Sequence, residues 1–438
     1  MLEKDETPAE PRASSESQAR NILIIGAGQA GLQLAMSLRE EGFVGNVTLI
    51  GDEADLPYQR PPLSKAYLRG EADIDNLRLR PEAFFDQHRV TLRRGERVAR
   101  LERAARHAVL ASGETLSYDH LILATGARNR RLDIEGAGLE GIFQLRSRPD
   151  ADALKDGLRA CRRLVIVGAG FIGLECASVT RALGKEVIVV EAADRPMPRT
   201  LSAETASAFL RMHHESGVGF VFEDSVTRLH GDTAGRVIGV VTRSGREIAA
   251  DLVLIGIGIV PNIELAVDSG LEVANGIVVD EHLLTSDPAI SAIGDCCTHP
   301  SRFADGSKLR FESVQNAIDQ ARCVAARLAG RPKPYASVPW FWSDQGKWKL
   351  QIAGLSTPYE KAVRRDGARD GQFSVFCFSG GRLTGVESVN SPADHMAARK
   401  LFGGGAALAL EEVESPSFDL RAAALSGGGV KNSHQGSV

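Results

Sequence analysis

The stretch Asn21-Ile22-Leu23-Ile24-Ile25-Gly26-Ala27-Gly28-Gln29-Ala30-Gly31 decides the fold. Its apolar opening predicts a short buried strand, and Leu32 to Leu38 continues at helical spacing, which leaves Gly26, Gly28 and Gly31 in a strand-to-helix turn. The first glycine of such a turn permits the reversal, the second lets backbone touch a pyrophosphate, and the third lets helix pack closely on strand. The phosphate then sits at the helix N-terminus. A second strand, Val47 to Ile50, ends at Gly51-Asp52, where an acid about 20 residues past the turn can bind ribose hydroxyls.

The whole unit recurs 142 residues later. Leu164 to Val167 leads into Gly168-Ala169-Gly170-Phe171-Ile172-Gly173 and then Leu174 to Ala177, and a further strand, Val187 to Val190, ends at Glu191. One such motif is a weak signal. Two copies that each keep strand, glycines and terminal acid imply two dinucleotides, and the economical pair is a tightly held flavin, FAD, with an exchangeable nicotinamide. A carboxylate at Glu191 bonds the ribose 2′-OH of NAD and repels the 2′-phosphate of NADP, so NADH is the expected reductant. Arg195 and Arg199 follow closely; they are read as solvated loop arginines, with phosphate acceptance left open.

The rest of the chain bounds what these units can serve. Its 438 residues suit roughly two to four domains. The formal net charge of −4 argues against a nucleic-acid binder, which needs an excess of clustered Lys and Arg. The longest apolar stretch, Leu252 to Val260, is about half of what a membrane-spanning helix needs. Residues 1–20 are rich in Glu, Ser, Pro and Ala without an apolar h-region, and read as a disordered leader; a flexible tail is expected over 425–438. The six cysteines, at 161, 176, 296, 297, 323 and 377, show no metal-finger or C-x-x-C spacing, which points to a reducing cytoplasm and to no metal site. The neighbours Cys296 and Cys297 are read as free thiols near a packed strand end, since a bridge between adjacent residues is strained.

Three more segments complete a pattern: Leu121-Ile122-Leu123-Ala124-Thr125-Gly126-Ala127, Gly256-Ile257-Gly258-Ile259-Val260-Pro261-Asn262, and Ser291-Ala292-Ile293-Gly294-Asp295. Together with the two turns they resemble the two-dinucleotide-domain flavoproteins of the glutathione-reductase type. Within that superfamily Arg60-Pro61-Pro62-Leu63-Ser64-Lys65 is similar to the oxygenase-coupled ferredoxin reductases. The resemblance spans roughly Asn21 to Leu410, and five ordered motifs are far more specific than any one. It implies an α/β protein with two Rossmann-like dinucleotide-binding domains and a smaller C-terminal α+β domain. The FAD-binding domain is expected over 21–126 and 259–333, the NAD-binding domain over 127–258 and the α+β domain over 334–424.

The resemblance also implies roles. FAD contacts carry over onto Gly26, Gly28, Ala30, Gly31, Asp52, Lys65, Val98, Ala124, Thr125, Gly126, Arg146, Asp295 and Val314, with Asp295 at the ribitol chain. NADH contacts fall on Gly168, Gly170, Ile172, Gly173, Glu191, Gly256 and Gly258. Gly256 and Gly258 would let a strand pass the nicotinamide without obstruction, although an ordinary domain-crossing strand explains them too. Lys65 would sit beside the flavin and pair with Glu175, since a fixed cation stabilises the charge that reduction creates. A surface lysine and a helix-dipole glutamate are the plainer alternatives. Trp342, in Trp340-Phe341-Trp342, would shape the ring pocket or lie at the electron exit, with interdomain packing equally open for Trp340 and Phe341.

Absent residues matter as well. Thiol-relay enzymes of this superfamily need cysteine in the first FAD segment, where Pro61, Pro62 and Ser64 stand instead. Electrons are therefore expected to leave from the flavin singly, to an acidic [2Fe–2S] ferredoxin that supplies a cytochrome P450 or Rieske-type oxygenase. Arg80 and Arg322 match basic positions of the family's docking face, with Arg310 assisting; they are also readable as ordinary solvated arginines. The alternatives are an NADH-responsive redox-signalling flavoprotein like apoptosis-inducing factor, or a rubredoxin or nitrite reductase component.

Overall fold

A computed structural model describes residues 20–405 and 407–426; the expected leader up to residue 19 and the expected tail beyond Ser426 lie outside the described residues. The first unit is a five-stranded sheet in the order Ile290–Ala292, His120–Leu123, Asn21–Ile25, Asn46–Gly51, Val90–Arg94, every pair parallel. Ile22, Leu23 and Ile24 are all buried, because both faces of a parallel sheet are covered and its strands run apolar on successive residues. Helix Gln29–Glu40 covers the sheet and packs on helix Val314–Leu328, which arrives from far along the chain, as does strand Ile290–Ala292.

The second unit repeats the plan with strands Val218–Val221, Glu186–Val190, Arg163–Val167, Leu252–Ile255 and Ile142–Phe143, again all parallel. Registers correspond: Ile22 pairs with His120 as Leu164 pairs with Leu252. Each unit also carries a three-stranded antiparallel sheet, Val98–Glu102 with His107–Leu110 and Thr115–Ser117 in one, Val226–Gly231 with Val237–Thr242 and Glu247–Ala249 in the other. Between the units, Ala127–Asn129 pairs antiparallel with Ile259–Pro261, and Thr125 Oγ1 donates to the Asn262 carbonyl at 2.7 Å.

The C-terminal region is an antiparallel sheet in the order Trp340–Gln345, Trp348–Gly354, Arg382–Val389, Phe373–Ser379, Lys361–Asp366, followed by helices Pro392–Gly403, Leu410–Glu414 and Leu420–Ser426. Strand alternation lets it serve two cores. Phe373, Val375 and Cys377 join the second unit's core, while Phe376 and Phe378 pack under the closing helices. The expected fold class is observed. Among the described residues no helix is long and apolar enough to cross a membrane, and no side-chain cluster could hold a metal ion.

Candidate functional site

The two glycine-rich turns are built alike. A side chain on Gly31 would meet the Gly26 carbonyl oxygen at 2.0 Å, and one on Gly173 the Gly168 carbonyl oxygen at 2.4 Å, so only hydrogen fits between helix start and strand end. The middle glycines face open space: a Cβ on Gly28 would touch nothing within 4 Å, and one on Gly170 only the Gly256 carbonyl at 3.9 Å. Behind them, helices Gln29–Glu40 and Phe171–Ala182 start with no side-chain cap and no acid in the first turn. Elsewhere Ser147, Ser202 and Ser313 cap helices with their hydroxyls. A helix start whose amides and positive dipole end face a space free of side chains is what a pyrophosphate requires, so both turns fit a dinucleotide.

Around the first turn the structure gathers residues from distant segments. Strand His120–Leu123 runs into Ala124, Thr125 and Gly126, and the Ala124 carbonyl oxygen lies 2.1 Å from where a Gly26 Cβ would be. Ala30 abuts Gly294, whose Cβ would stand 3.2 Å from it, and the next residue, Asp295, accepts from an Arg146 Nη2 at 3.0 Å. The same Nη2 lies 3.7 Å from a Cβ on Gly126. Asp52 is exposed at the strand end, and Val98 is buried where its strand begins.

Around the second turn Gly256 takes the place of Ala124, and Gly258, at φ +99°, passes the Arg199 guanidinium. Ile172 leaves an apolar side chain 43% exposed at the helix start. Glu191 turns back onto the glycine-rich loop, accepting from Ala169 N–H at 2.7 Å and Ala193 N–H at 2.9 Å. Register sets the two acids one residue apart: Val190 pairs with Val167 as Ile50 pairs with Ile25, so the counterpart of Glu191 is Gly51, one before Asp52.

Where the units meet the C-terminal sheet there is a cavity of ≈ 260 Å³ lined by Gln29, Gln59, Pro61, Pro62, Lys65, Ala66, Val314, Trp342 and Asp344. Lys65, Val314 and Trp342 are thus brought together. Arg60 anchors the segment before Lys65 by pairing with Glu53 and donating to the Arg146 carbonyl at 2.8 Å. Lys65 Nζ reaches Glu175 Oε2 at 2.7 Å, with the two side chains 17% and 3% exposed. Ser64 Oγ donates to Glu175 Oε2 at 2.5 Å and Ser343 Oγ to Oε1 at 2.6 Å. Val314 opens a 15-residue helix with no acid in its first turn, so its amides bring partial positive charge to the cavity.

The chain matches the family model described as pyridine nucleotide-disulphide oxidoreductase over residues 20–321, and a reductase C-terminal model over 340–424. It belongs to the pyridine nucleotide-disulphide oxidoreductase family. Rhodocoxin reductase of Rhodococcus erythropolis is 53% identical over 381 residues, covering 87% of this chain and 89% of its own. The crystal structure of the ferredoxin reductase for the CYP199A2 system from Rhodopseudomonas palustris superposes with a TM-score of 0.90 at 46% identity, over 92% of this chain and 100% of that one. The covalent putidaredoxin reductase–putidaredoxin complex gives 0.89 at 35% identity, over 93% and 99%. The chain is an oxidoreductase, and its cofactors are FAD and NADH.

Although the family is named for disulphide chemistry, no cysteine lines the cavity. All six cysteines are unpaired, and burial pushes the thiols of Cys296 and Cys297 up. One expectation is corrected: Arg310 is not a free surface cation. Its side chain is only 10% exposed, paired with Glu312 and donating to Asn275 Oδ1 at 3.2 Å, because it supports the Asp295 segment from behind. Arg322 is exposed, and Arg80 is half-buried over the Phe84 ring. Sequence reasoning missed Ser343 and Gln345; polar residues interleaved with Phe341 on one strand face are the signal that points to them.

Proposed function

We propose that the chain is an FAD-dependent NADH:ferredoxin oxidoreductase, accepting electrons in pairs from NADH and delivering them singly to a [2Fe–2S] ferredoxin that serves a cytochrome P450 or Rieske-type oxygenase. The observation that carries this is a cavity holding a partly buried cation and an aromatic ring but no sulfur. FAD bound there supplies the conversion from paired to single electrons. Lys65, held by Glu175, keeps a fixed positive charge at the cavity, and the amides at Val314 add to it, so negative charge arising on reduction is stabilised. Neither group has to move a proton. Gly256, Gly258 and Ile172 leave an open approach for the nicotinamide end, and Glu191 takes a ribose.

The exit is the Trp342 side. The Trp340 and Trp342 rings lie 5.5 Å apart, and Arg399 stands 4.5 Å over Trp340 at a second hollow of ≈ 340 Å³ lined by Asp319, Ser337, Val338, Met396, Arg399 and Lys400. Arg322 neighbours the same Asp319, and Met396 is 59% exposed. Cations around an apolar centre suit an acidic ferredoxin, and we assign docking to this face with Arg322 and Lys400 among its cations; Arg80, half-buried over Phe84, is a further docking candidate that no contact ties to this hollow. A relative's solved complex with putidaredoxin supports a partner of that kind. Six unpaired thiols support a reducing cytoplasm.

The test is anaerobic reduction of the yellow protein by NADH, followed by mixing with [2Fe–2S] ferredoxins, rubredoxin and oxygen in turn. Fast ferredoxin reduction with a slow oxygen reaction is expected. A long-lived charge-transfer colour with sluggish transfer to every acceptor would favour the redox-signalling alternative.

A further inference from the structure

Side chains alternate along strand Trp340–Gln345. Trp342 and Asp344 line the cavity. Phe341, Ser343 and Gln345 face the second unit: the Phe341 ring lies 4.6 Å from Phe171, Ser343 Oγ 2.6 Å from Glu175 Oε1, and Gln345 Oε1 2.8 Å from His213 Nε2. Phe171 and Glu175 are one helical turn apart, so a strand face and a helix face interlock here. Glu175 therefore belongs to one unit, its partners Ser64 and Lys65 to a second, and Ser343 to the C-terminal sheet.

Chemistry fixes the direction of each hydrogen bond. A carboxylate only accepts, so the Ser343 hydroxyl donates to it, and that hydroxyl oxygen takes the Gln345 amide N–H at 3.2 Å. The Gln345 carbonyl accepts, so His213 Nε2 carries the proton, and Nδ1, which has no partner, is left as a lone pair. Met197 Sδ faces the same Gln345 amide nitrogen at 3.8 Å. Ser343, Gln345 and His213 are all buried, so water does not compete for these bonds. His213, Gln345 and Ser343 thus form a row of donors aimed at Glu175 Oε1, while Lys65 and Ser64 approach Oε2.

We propose that Ser343, with Gln345 behind it, is a positioning residue of the redox site: by holding Oε1 it turns Oε2 toward Lys65 and fixes the cation at the cavity. This rests on FAD occupying that cavity, but not on the identity of the acceptor. Its consequence is electrostatic. A carboxylate free to rotate would release Lys65 toward solvent and stabilise the reduced state less.

The test uses FAD-loaded protein and the variants Ser343→Ala, Ser343→Thr and Gln345→Leu. The flavin midpoint potential is measured by dye equilibration, and the rate constant for reduction by NADH is followed by stopped flow across pH. Losing a hydrogen bond to a charged group corresponds to about a tenfold effect. Ser343→Ala is accordingly expected to retain FAD, to lower the potential, and to slow reduction about tenfold at an unchanged NADH dissociation constant. Ser343→Thr, which keeps the hydroxyl, should return both readouts to near the parent, and Gln345→Leu should lose less in the same direction. Parental potential and pH profile in Ser343→Ala overturns the proposal. So does a Ser343→Thr protein that behaves like the alanine variant while melting with the parent, since packing and not donation would then be the cause. If Ser343→Ala does not fold, Gln345→Leu decides by the same two readouts. Neither readout involves a ferredoxin, so a parent protein that ignores ferredoxin would count against the proposed acceptor alone.

Discussion

The two dinucleotide units share strand order, register and an uncapped helix start, yet one is roofed and the other is open. Over the first turn lie Gly294 against Ala30, the Arg146–Asp295 pair and helix Val314–Leu328, all delivered by segments remote in sequence. Beside the second, Ile172 remains exposed and Glu191 folds back onto the loop it follows. We propose on this ground that the roofed turn keeps a resident cofactor and the open one receives a visiting one, since enclosure removes escape routes without altering the phosphate cradle.

The largest test of that contrast is a steric one. Gly31→Val and Gly173→Val each force a side chain into backbone carbonyl at 2.0 and 2.4 Å, so each should abolish binding at its own turn. Gly31→Val protein is expected to purify colourless. Gly173→Val is expected to stay yellow but to resist reduction by NADH while a chemical reductant still bleaches it. Absorbance spectra with and without NADH check both, and a Gly173→Val protein that reduced normally would break the assignment of roles.

Next in size is the pair that bridges the units. Removing one partner of a buried ion pair costs about 3–5 kcal/mol, and the partial exposure of Lys65 places Lys65→Ala at about the lower figure. The double variant Lys65→Ala/Glu175→Gln should recover most of that stability, because no buried charge is left unpaired. It should not recover the flavin potential, which is expected to fall by about 30 mV or more in both, as about 1.4 kcal/mol corresponds to about 30 mV for a two-electron couple. Thermal melts and dye equilibration separate the two effects; a double variant with parental potential would show that the cation does not act on the flavin.

How much of this was legible in the sequence follows from which signals are local. Apolar runs, glycine spacing and the terminal acids are local, and they specify both turns and the fold class. Ser64 and Glu175 are 111 positions apart, and no periodicity brings them to 2.5 Å; family resemblance alone suggested the Lys65–Glu175 pairing. Ser343 and Gln345 stayed hidden because the tryptophans dominated the reading of their strand. Arg310 was misjudged because burial in an irregular segment depends on partners such as Asn275 and Glu312, which pattern does not announce.

A third test exploits a difference inside the matched sheets, where His120 of the first unit stands at the register position of Leu252 in the second. His120 Nε2 lies 2.9 Å from Ser291 Oγ and 3.4 Å from Arg327 Nη2, and Arg327, which can only donate, also donates to Ser291 Oγ at 2.6 Å; with the serine hydroxyl donating onward, Nε2 is a lone pair and the ring is neutral. Burial pushes the His120 pKa down to about 4, while Asp287 and Arg106 act on it in opposite senses. The unfolded chain takes up this proton near the ordinary histidine value of about 6.5, and the folded chain only near 4, so stability is lost as pH falls between them. The loss at full development is on the order of 3 kcal/mol, and unfolding of the first unit is expected to release flavin. His120→Gln keeps an acceptor for Arg327 and should flatten the acid limb by about one proton. Free-flavin fluorescence and melting midpoint against pH check this; an unchanged slope would assign acid lability to other groups.

The smallest expected effect lies wholly in the open unit. The Glu191 carboxylate accepts from the amides of Ala169 and Ala193, so Glu191→Ala both removes a negative charge and frees two donors near Arg195 and Arg199. A 2′-phosphate could use those donors, whereas the NADH ribose loses its acceptor. The ratio of kcat/KM for NADPH over NADH is therefore expected to rise about tenfold, equivalent to about 1.4 kcal/mol. FAD content and midpoint potential should not change, because nothing at the roofed turn touches this carboxylate. Steady-state kinetics with ferricyanide as acceptor measures the ratio without any ferredoxin. An unaltered ratio would move nucleotide preference from the carboxylate to the neighbouring arginines, and a loss of flavin would show that the two turns are less independent than their separate surroundings imply.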